Sequence, residues 1–297
     1  DILAIHWNVD PVLLHLGPIS LRWYSLLFVS GFIFGWYMVR SFYRREGVDE
    51  RLLDPLLYAM LISVIVGARL GHCIFYDPQY YFGSWQGFLE IFQPWKGGLA
   101  SHGGAIALVL AMIWYARHYG RRNGFDFFWI IDRLVITVCF AGALIRLGNL
   151  CNSEIYGGPT TLPWGMYFME NVYQHFASGA EPLWTEYPCH PTQLYEALSY
   201  LVLGLALQLT YKYRLEKLYR GEIFGIFLIC LFGVRFLIEF IKNDQVDFEA
   251  GMAINMGQIL SIPFILAGVV ILIYSFIRRK PACSDAYLKA DGKKKQA

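Results

Sequence analysis

An all-α integral membrane protein with seven spanning helices is the fold class this sequence predicts, with its amino terminus outside and its carboxyl terminus in the cytoplasm. Three observations predict it. Of the 297 residues 56% are hydrophobic and only 16% charged, the balance of a bilayer protein rather than a water-soluble enzyme. Apolar stretches close to the length of a spanning helix recur seven times. Lysine and arginine are also unevenly divided among the connections, and basic residues mark the cytoplasmic side.

The stretches run approximately Leu21 to Val39, Leu52 to Tyr76, Leu99 to Ala116, Phe127 to Leu147, Gln193 to Tyr211, Ile223 to Ile241 and Gly257 to Ile277. Arg40, Arg44, Arg45 and Arg51 follow the first, Arg117, Arg121 and Arg122 the third, and Lys212, Arg214, Lys217 and Arg220 the fifth. Further lysines and arginines crowd the end of the chain, whose last part, 281–297, reads as a basic cytoplasmic tail that solvates or meets anionic headgroups. The opposite side keeps only Lys96 and Lys242. Asp1 to Gly17 lacks a basic start and an unbroken apolar core, so no cleavable signal peptide is expected there.

Residues 1–297 read as one membrane domain. The connection 151–190 contains no lysine or arginine, carries Glu154, Glu170, Glu181 and Glu186, and is too long for a simple turn. It predicts a small periplasmic head of irregular structure with a short strand pair or helix. Cys151 and Cys189 bracket it and could bond in an oxidising compartment, whereas Cys73, Cys139 and Cys230 suit packing inside spans. No spacing of cysteine, histidine and carboxylate forms a metal site, and no cofactor or nucleic-acid partner is expected. GxSxG, HExxH and Walker patterns are missing, which weakens serine hydrolase, zinc protease and nucleotide-driven readings.

Five arginines remain: Arg22, Arg69, Arg133, Arg146 and Arg235, all in or at the edge of apolar stretches. An arginine at the centre of a membrane helix costs roughly 2.5 to 3.5 kcal/mol on insertion scales, so each needs a partner, water or an anion. Arg133, beside Asp132 at an inner helix start, is accounted for by an interfacial ion pair or by snorkelling. The other four lie toward the outer face. Ser101, His102, Gly103 and Gly104 enter from that face, as do Asn149, Asn152 and Glu154, and His190 with Gln193, Tyr195 and Glu196. Such a slab suits an anionic lipid headgroup.

The segment from Lys96 to Gly104 is rich in glycine, which lets backbone approach a ligand, and a helix start offers N–H groups to an anion. His102 can exchange a proton near neutral pH. An ordinary turn leading into a helix, with an interfacial histidine, explains the segment equally well. Arg235 and Glu239 are four apart on one helix face, where structural pairing accounts for Glu239. Arg146 and Asn149, three apart, also share a face; the guanidinium fork either matches two phosphate oxygens or closes the loop through Glu154.

In order along the chain stand Leu21-Arg22-Trp23-Tyr24, Gly67-Ala68-Arg69-Leu70-Gly71, Ser101-His102-Gly103-Gly104, Arg146-Leu147-Gly148-Asn149 through Glu154 to Gly157, His190-Pro191-Thr192-Gln193-Leu194-Tyr195-Glu196, Arg235 to Phe240, and Met256 to Pro263. With these motifs the sequence resembles the bacterial prolipoprotein diacylglyceryl transferases. The resemblance implies a multi-pass protein of the bacterial inner membrane. It also implies transfer of the diacylglyceryl group of phosphatidylglycerol to the lipobox cysteine thiol in the signal peptide of a preprolipoprotein, giving a thioether and glycerol phosphate.

By position, His102, Arg146 and Arg235 match the family's catalytic residues. Tyr24, Arg69, Gly103, Gly104, Asn149, Glu154, Gly157 and Glu239, together with both arginines, match its substrate-binding set. The sequence departs from the family pattern at Ile145, Leu150 and Leu231, the last standing where a tyrosine is frequent. A seven-helix transporter or receptor for an anionic solute, or another phospholipid-modifying enzyme, would also use such a cluster.

Overall fold

The structure is a computed structural model that describes residues 5–17, 19–93, 100–242 and 255–294, without the side chains at 16, 19, 101, 102, 256, 293 and 294. In chain order come strands β1 (Ile5–His6), β2 (Val12–Leu16) and β3 (Ile19–Arg22), then helices α1 (Trp23–Glu46), α2 (Leu53–Phe75), α3 (Pro78–Gly83), α4 (Trp85–Ile91), α5 (Ser101–Tyr115), α6 (Arg121–Asn123) and α7 (Phe127–Cys151). Strand β4 (Met166–Tyr167) and helices α8 (Val172–Ser178), α9 (Thr192–Arg214), α10 (Glu222–Glu239), α11 (Met256–Arg278) and α12 (Asp285–Lys294) follow.

The chain is mostly helical, and the four short strands among the described residues are the departure from an all-α expectation. Helices occur at each of the seven apolar stretches. Among the described residues, five are long and apolar enough to cross a membrane, within Trp23–Glu46, Glu50–Phe75, Phe127–Cys151, Thr192–Lys217 and Gly257–Arg278. The 15-residue α5 is shorter, and α10 carries Glu222, Arg235 and Glu239. Large apolar side chains such as Ile33, Ile62, Val202 and Val270 face outward, an arrangement that hydrocarbon satisfies and water does not.

The chain packs as two compact units, Asp1–Met38 with Asp132–Ala282, and Val39–Ile131 with Cys283–Ala297. In the first, Asp132 caps α10 from α7, its two carboxylate oxygens accepting from Gly221 N at 2.7 Å and Phe224 N at 2.8 Å. Arg133 does not snorkel. It is fully buried, donates from Nη2 to the Ala282 carbonyl at 2.8 Å and lies over the Tyr211 ring.

The segment 151–190 of this unit packs with the start of the chain, because β1 pairs in parallel with β4 and the Trp7 indole donates to the Leu150 carbonyl at 2.8 Å. Its small core joins Leu150, Met166, Phe168 and Cys189 to Trp7, Tyr156 and Leu194, and the Tyr156 and Phe168 rings stack. Cys151 and Cys189 are both free thiols.

The second unit is organised by the crossing of α2 and α5. Gly67 and Gly71, one turn apart, meet Gly103, and a Cβ on Gly103 would lie 2.2 Å from the Gly67 carbonyl oxygen and 2.8 Å from Gly71 Cα. Small residues at this spacing let two membrane helices touch backbone to backbone, so van der Waals contact replaces the hydrophobic drive that lipid removes. At another end of the unit Glu46 is buried and accepts from Trp129 Nε1 and from Ser284 N, each at 2.8 Å. The tail is therefore anchored at its start, with Cys283 and Ser284 buried, rather than solvated throughout.

Candidate functional site

The carboxyl-terminal end of α7 in the first unit carries Arg146, placed three residues before Asn149 so that both project from one helix face. Arg146 Nη1 donates to Asn149 Oδ1 at 3.2 Å, and Asn149 Nδ2 donates to Glu154 Oε1 at 2.8 Å. Those two bonds fix the orientation of the amide. Asn152 Nδ2 reaches the same Glu154 oxygen at 3.0 Å.

Glu154 can turn back toward its own helix because the backbone on both sides is left-handed, Ser153 at φ 54° and Ile155 at φ 60°. For a β-branched residue that conformation costs on the order of 1–3 kcal/mol. It is held by Thr192 Oγ1 donating to the Ile155 carbonyl at 2.9 Å and Gln193 Nε2 donating to the Glu154 carbonyl at 2.6 Å, both from the first turn of α9.

Gly157 closes the turn. Its N–H donates to the His190 carbonyl at 2.8 Å, and a Cβ there would sit 2.6 Å from the Ile241 carbonyl and 2.7 Å from the Thr192 methyl, so no other residue fits. Tyr24 at the start of α1 lies on α7 at Gly148, where a Cβ would meet its ring at 2.8 Å. Arg22, two residues earlier, lies over the Tyr173 ring of α8.

Glu196, from α9, completes the cluster. Its Oε2 lies 2.6 Å from Arg146 Nε and its Oε1 2.9 Å from Lys242 Nζ, with the carboxylate almost wholly buried. Lys242 also approaches Glu239 Oε2 at 3.4 Å. Glu239 therefore pairs with Lys242 three residues on, not with Arg235 four residues back, correcting the expected α10 pair. Among the described residues Arg235 forms no ion pair with a carboxylate; it lies with Arg146 and Glu196 within electrostatic reach of the Tyr200 hydroxyl, one turn beyond Glu196.

In the sequence Glu196 stands among the residues opening the fifth stretch without an evident partner, and Lys242 is one of the two lysines expected on the outer side. The available signal for Glu196 was its position: a carboxylate one turn inside an apolar stretch needs a cation. Lys242 carried none, because its partners are decided by where the start of α9 meets the end of α10.

Alongside the pair runs an apolar groove of about 340 Å³, lined by residues of α1, α7 and α9 that include Phe34, Leu144, Leu147, Leu194 and Leu198. Ala143, Ala197 and Tyr200 form a buried cluster next to it. The arrangement is amphipathic, with cations and carboxylates at one end and hydrocarbon along the side.

The remaining predicted residues belong to the second unit. The Arg69 guanidinium is buried, donates from Nε to the Ile91 carbonyl at 3.1 Å and from Nη2 to the Glu90 carbonyl, and lies over the Tyr81 ring, so it holds the end of α4. Gly103 is required by the helix crossing, and Gly104 abuts Val64 and Ala68 of α2. His102 lies in the first turn of α5, but its side chain is outside the described residues, as are Lys96, Gly97 and Gly98. Among the described residues no group of three histidine, cysteine or carboxylate side chains is placed to hold a metal ion.

Apolar helices long enough to cross a membrane, with a buried cluster of ions where α7 and α10 end, define a multi-pass membrane protein. The sequence profile of the prolipoprotein diacylglyceryl transferases matches residues 11–274. This chain belongs to that family. It is 41% identical over 271 residues to the phosphatidylglycerol–prolipoprotein diacylglyceryl transferase of Tolumonas auensis, covering 91% of this chain and 97% of that one. The proteins of the same name from Porphyromonas gingivalis and Bacteroides fragilis are 42% and 39% identical, with 91% and 92% of this chain covered and 94% and 96% of theirs.

Proposed function

We infer that this chain transfers the diacylglyceryl group of phosphatidylglycerol to a prolipoprotein, working as a multi-pass enzyme of the bacterial inner membrane with seven spans and an external amino terminus. The acceptor is the lipobox cysteine thiol in the signal peptide of a preprolipoprotein. A sulfur–carbon bond forms at the glycerol carbon while that carbon's bond to the phosphate oxygen breaks. Glycerol phosphate leaves with one additional negative charge, and the thiol proton goes to a base.

The observation that carries this reading is the Arg146–Asn149–Glu154 relay, locked to Glu196 and Lys242 beside an apolar groove. Cations preorganised where charge develops lower a barrier most when they need not reorganise, and Arg146 is held at two of its nitrogens before any ligand arrives. Arg146 and Arg235 take the phosphate and its growing charge. His102 accepts the thiol proton, a role suited to imidazole because a free thiol titrates at about 8.5. Glu154 and Asn149 hold Arg146, Glu239 does the same for Lys242, and Tyr24 and Gly157 shape the wall. Arg69, Gly103 and Gly104 set the backbone on which His102 is carried. The groove seats an acyl chain.

Purified protein incubated with phosphatidylglycerol and a lipobox peptide is expected to give a peptide heavier by one diacylglyceryl group. Release of free diacylglycerol with an unmodified peptide would instead indicate a phospholipase. Solute flux without any covalent change would indicate a transporter.

A further inference from the structure

In the second unit two apolar grooves meet at one tryptophan. The larger, of about 730 Å³, lies between α2 and α5, with Tyr58, Ile62 and Val66 on one side and Ala107, Ala111 and Trp114 on the other. The smaller, of about 400 Å³, follows α5 alone and is lined by Leu110, Ile113, Trp114, Arg117 and His118. The half-exposed Trp114 indole is held in place where the two meet. It stacks on His118 with ring centroids 5.4 Å apart and meets the edge of Tyr119, which also lines the larger groove. Tryptophan in such a place marks the level where acyl chains give way to headgroups.

Just past Trp114, α5 continues as a π-helical turn, Ala116–Gly120, a form frequent at functional sites. That turn carries Arg117, and Arg121 and Arg122 follow. All three side chains are exposed and form no ion pair among the described residues, whereas Arg40 and Arg44 of α1 are paired with Glu50. The start of α2 lies at the same end, because the Tyr115 hydroxyl donates to the Leu52 carbonyl at 2.8 Å, and it brings the exposed Arg51 to the same rim. Asp54 opens α2 beside Pro55, so an anion at this rim is favoured on the α5 side, at Arg117. Hydrocarbon grooves that end in unpaired guanidinium groups are complementary to a molecule with acyl chains and a negative head. A soluble anion would leave the grooves unfilled, and the apolar face of another helix would leave the arginines without a counter-charge.

We propose that this face of α2 and α5 is a binding site for one anionic phospholipid, its two acyl chains seated in the grooves that meet at Trp114 and its phosphate held by Arg117. It is separate from the lipid that Arg146 handles, because Arg146 belongs to the other compact unit. A zwitterionic lipid fills the same grooves but brings a cation to Arg117, so the site distinguishes the two by headgroup charge.

The test places the full chain in phosphatidylethanolamine vesicles with a trace of phosphatidic acid carrying a photoreactive diazirine in its acyl chain, and maps the cross-linked peptides by mass. Phosphatidylcholine with the same acyl chain is the control. A basic residue near the surface favours an anionic lipid about fivefold, so labelling of residues 58–66 and 107–114 should be about 5- to 25-fold stronger with phosphatidic acid. Equal labelling by the two lipids would overturn the proposal and leave the grooves to bulk lipid. Arg117→Gln should lower the preference about fivefold and Arg117→Lys should keep most of it; a full preference in Arg117→Gln would remove the phosphate from that residue and sink the assignment. Ala111→Phe fills the larger groove while leaving the arginines in place and should weaken labelling of α2, with a thermal melt to show that the variant is folded. Undiminished labelling of α2 in that folded variant would also refute it. Peptide modification plays no part in this readout, so the transfer reading and the lipid site fail separately.

Discussion

Replacing Arg146 by lysine keeps one positive charge at the end of α7 and removes the planar fork. The native side chain uses Nε against Glu196 at 2.6 Å and Nη1 against Asn149 at 3.2 Å, which leaves N–H groups on the outer edge for two phosphate oxygens. A lysine ammonium in that space is drawn to buried Glu196, and Asn149 Oδ1 loses its donor. At least one charge-assisted bond to the departing phosphate goes with the fork, worth about 1.5–3 kcal/mol. At about 1.4 kcal/mol per tenfold in rate that is a loss of about 10- to 150-fold. Preorganisation adds to it, and removal of a single donor from a charge-stabilising site costs about 10²–10³. We therefore expect kcat/KM to fall about 100- to 1,000-fold. The assay is mass analysis of lipobox peptide incubated with phosphatidylglycerol vesicles, alongside a thermal melt to show that the variant is folded. A folded Arg146→Lys enzyme forming thioether at the wild-type rate would refute the assignment of Arg146 to the phosphate.

Three further outcomes are expected. Gly103→Ala puts a methyl 2.2 Å from a backbone oxygen that cannot rotate away, so α2 and α5 must separate; a destabilisation of about 3 kcal/mol, the upper end for overpacking, should appear as a lowered melting point in detergent, and an unchanged melt would contradict the crossing. Asp132→Ala strips two backbone N–H groups at the start of α10 of their acceptor and should cost about 2 kcal/mol of stability, with faster amide exchange at Gly221 and Phe224 as the local readout. Burial lowers the His190 pKa below its ordinary 6.5, so the folded protein favours the neutral ring. Its contribution is fully present above about pH 6.5 and is lost as pH falls through that value toward the folded pKa. The melting point of His190→Gln should accordingly decline less between pH 7.5 and 5 than that of the wild type, and parallel curves would rule this out.

Much of the candidate cluster could be read in the sequence because membrane burial makes each polar residue conspicuous. Arg146, Asn149 and Glu154 are close in the chain, and the helical period alone sets Arg146 and Asn149 on one face. Local spacing was a poor guide at Glu239, where the four-residue partner Arg235 lost to Lys242: the chain leaves α10 after Glu239, and Lys242 returns against Gly157, bringing its amine to two carboxylates at once. The glycine-rich segment from Lys96 to Gly104 suits either close approach to a ligand or an ordinary turn into a helix. In the structure Gly103 is accounted for by Gly67 and Gly71, whose own spacing of four carried that signal.

By itself the sequence determined that this chain belongs in a membrane, where its apolar stretches lie, and which polar residues are too costly there to be incidental, because those properties depend on composition and on spacing within a single helix. Tertiary structure alone decided the partners. Glu196 joins Arg146 to Lys242 across three chain segments, and the left-handed turn at Ser153 and Ile155 is held by hydroxyl and amide groups from α9. Which charges meet inside a low-dielectric interior is settled by where helices cross and end, and no local pattern encodes that.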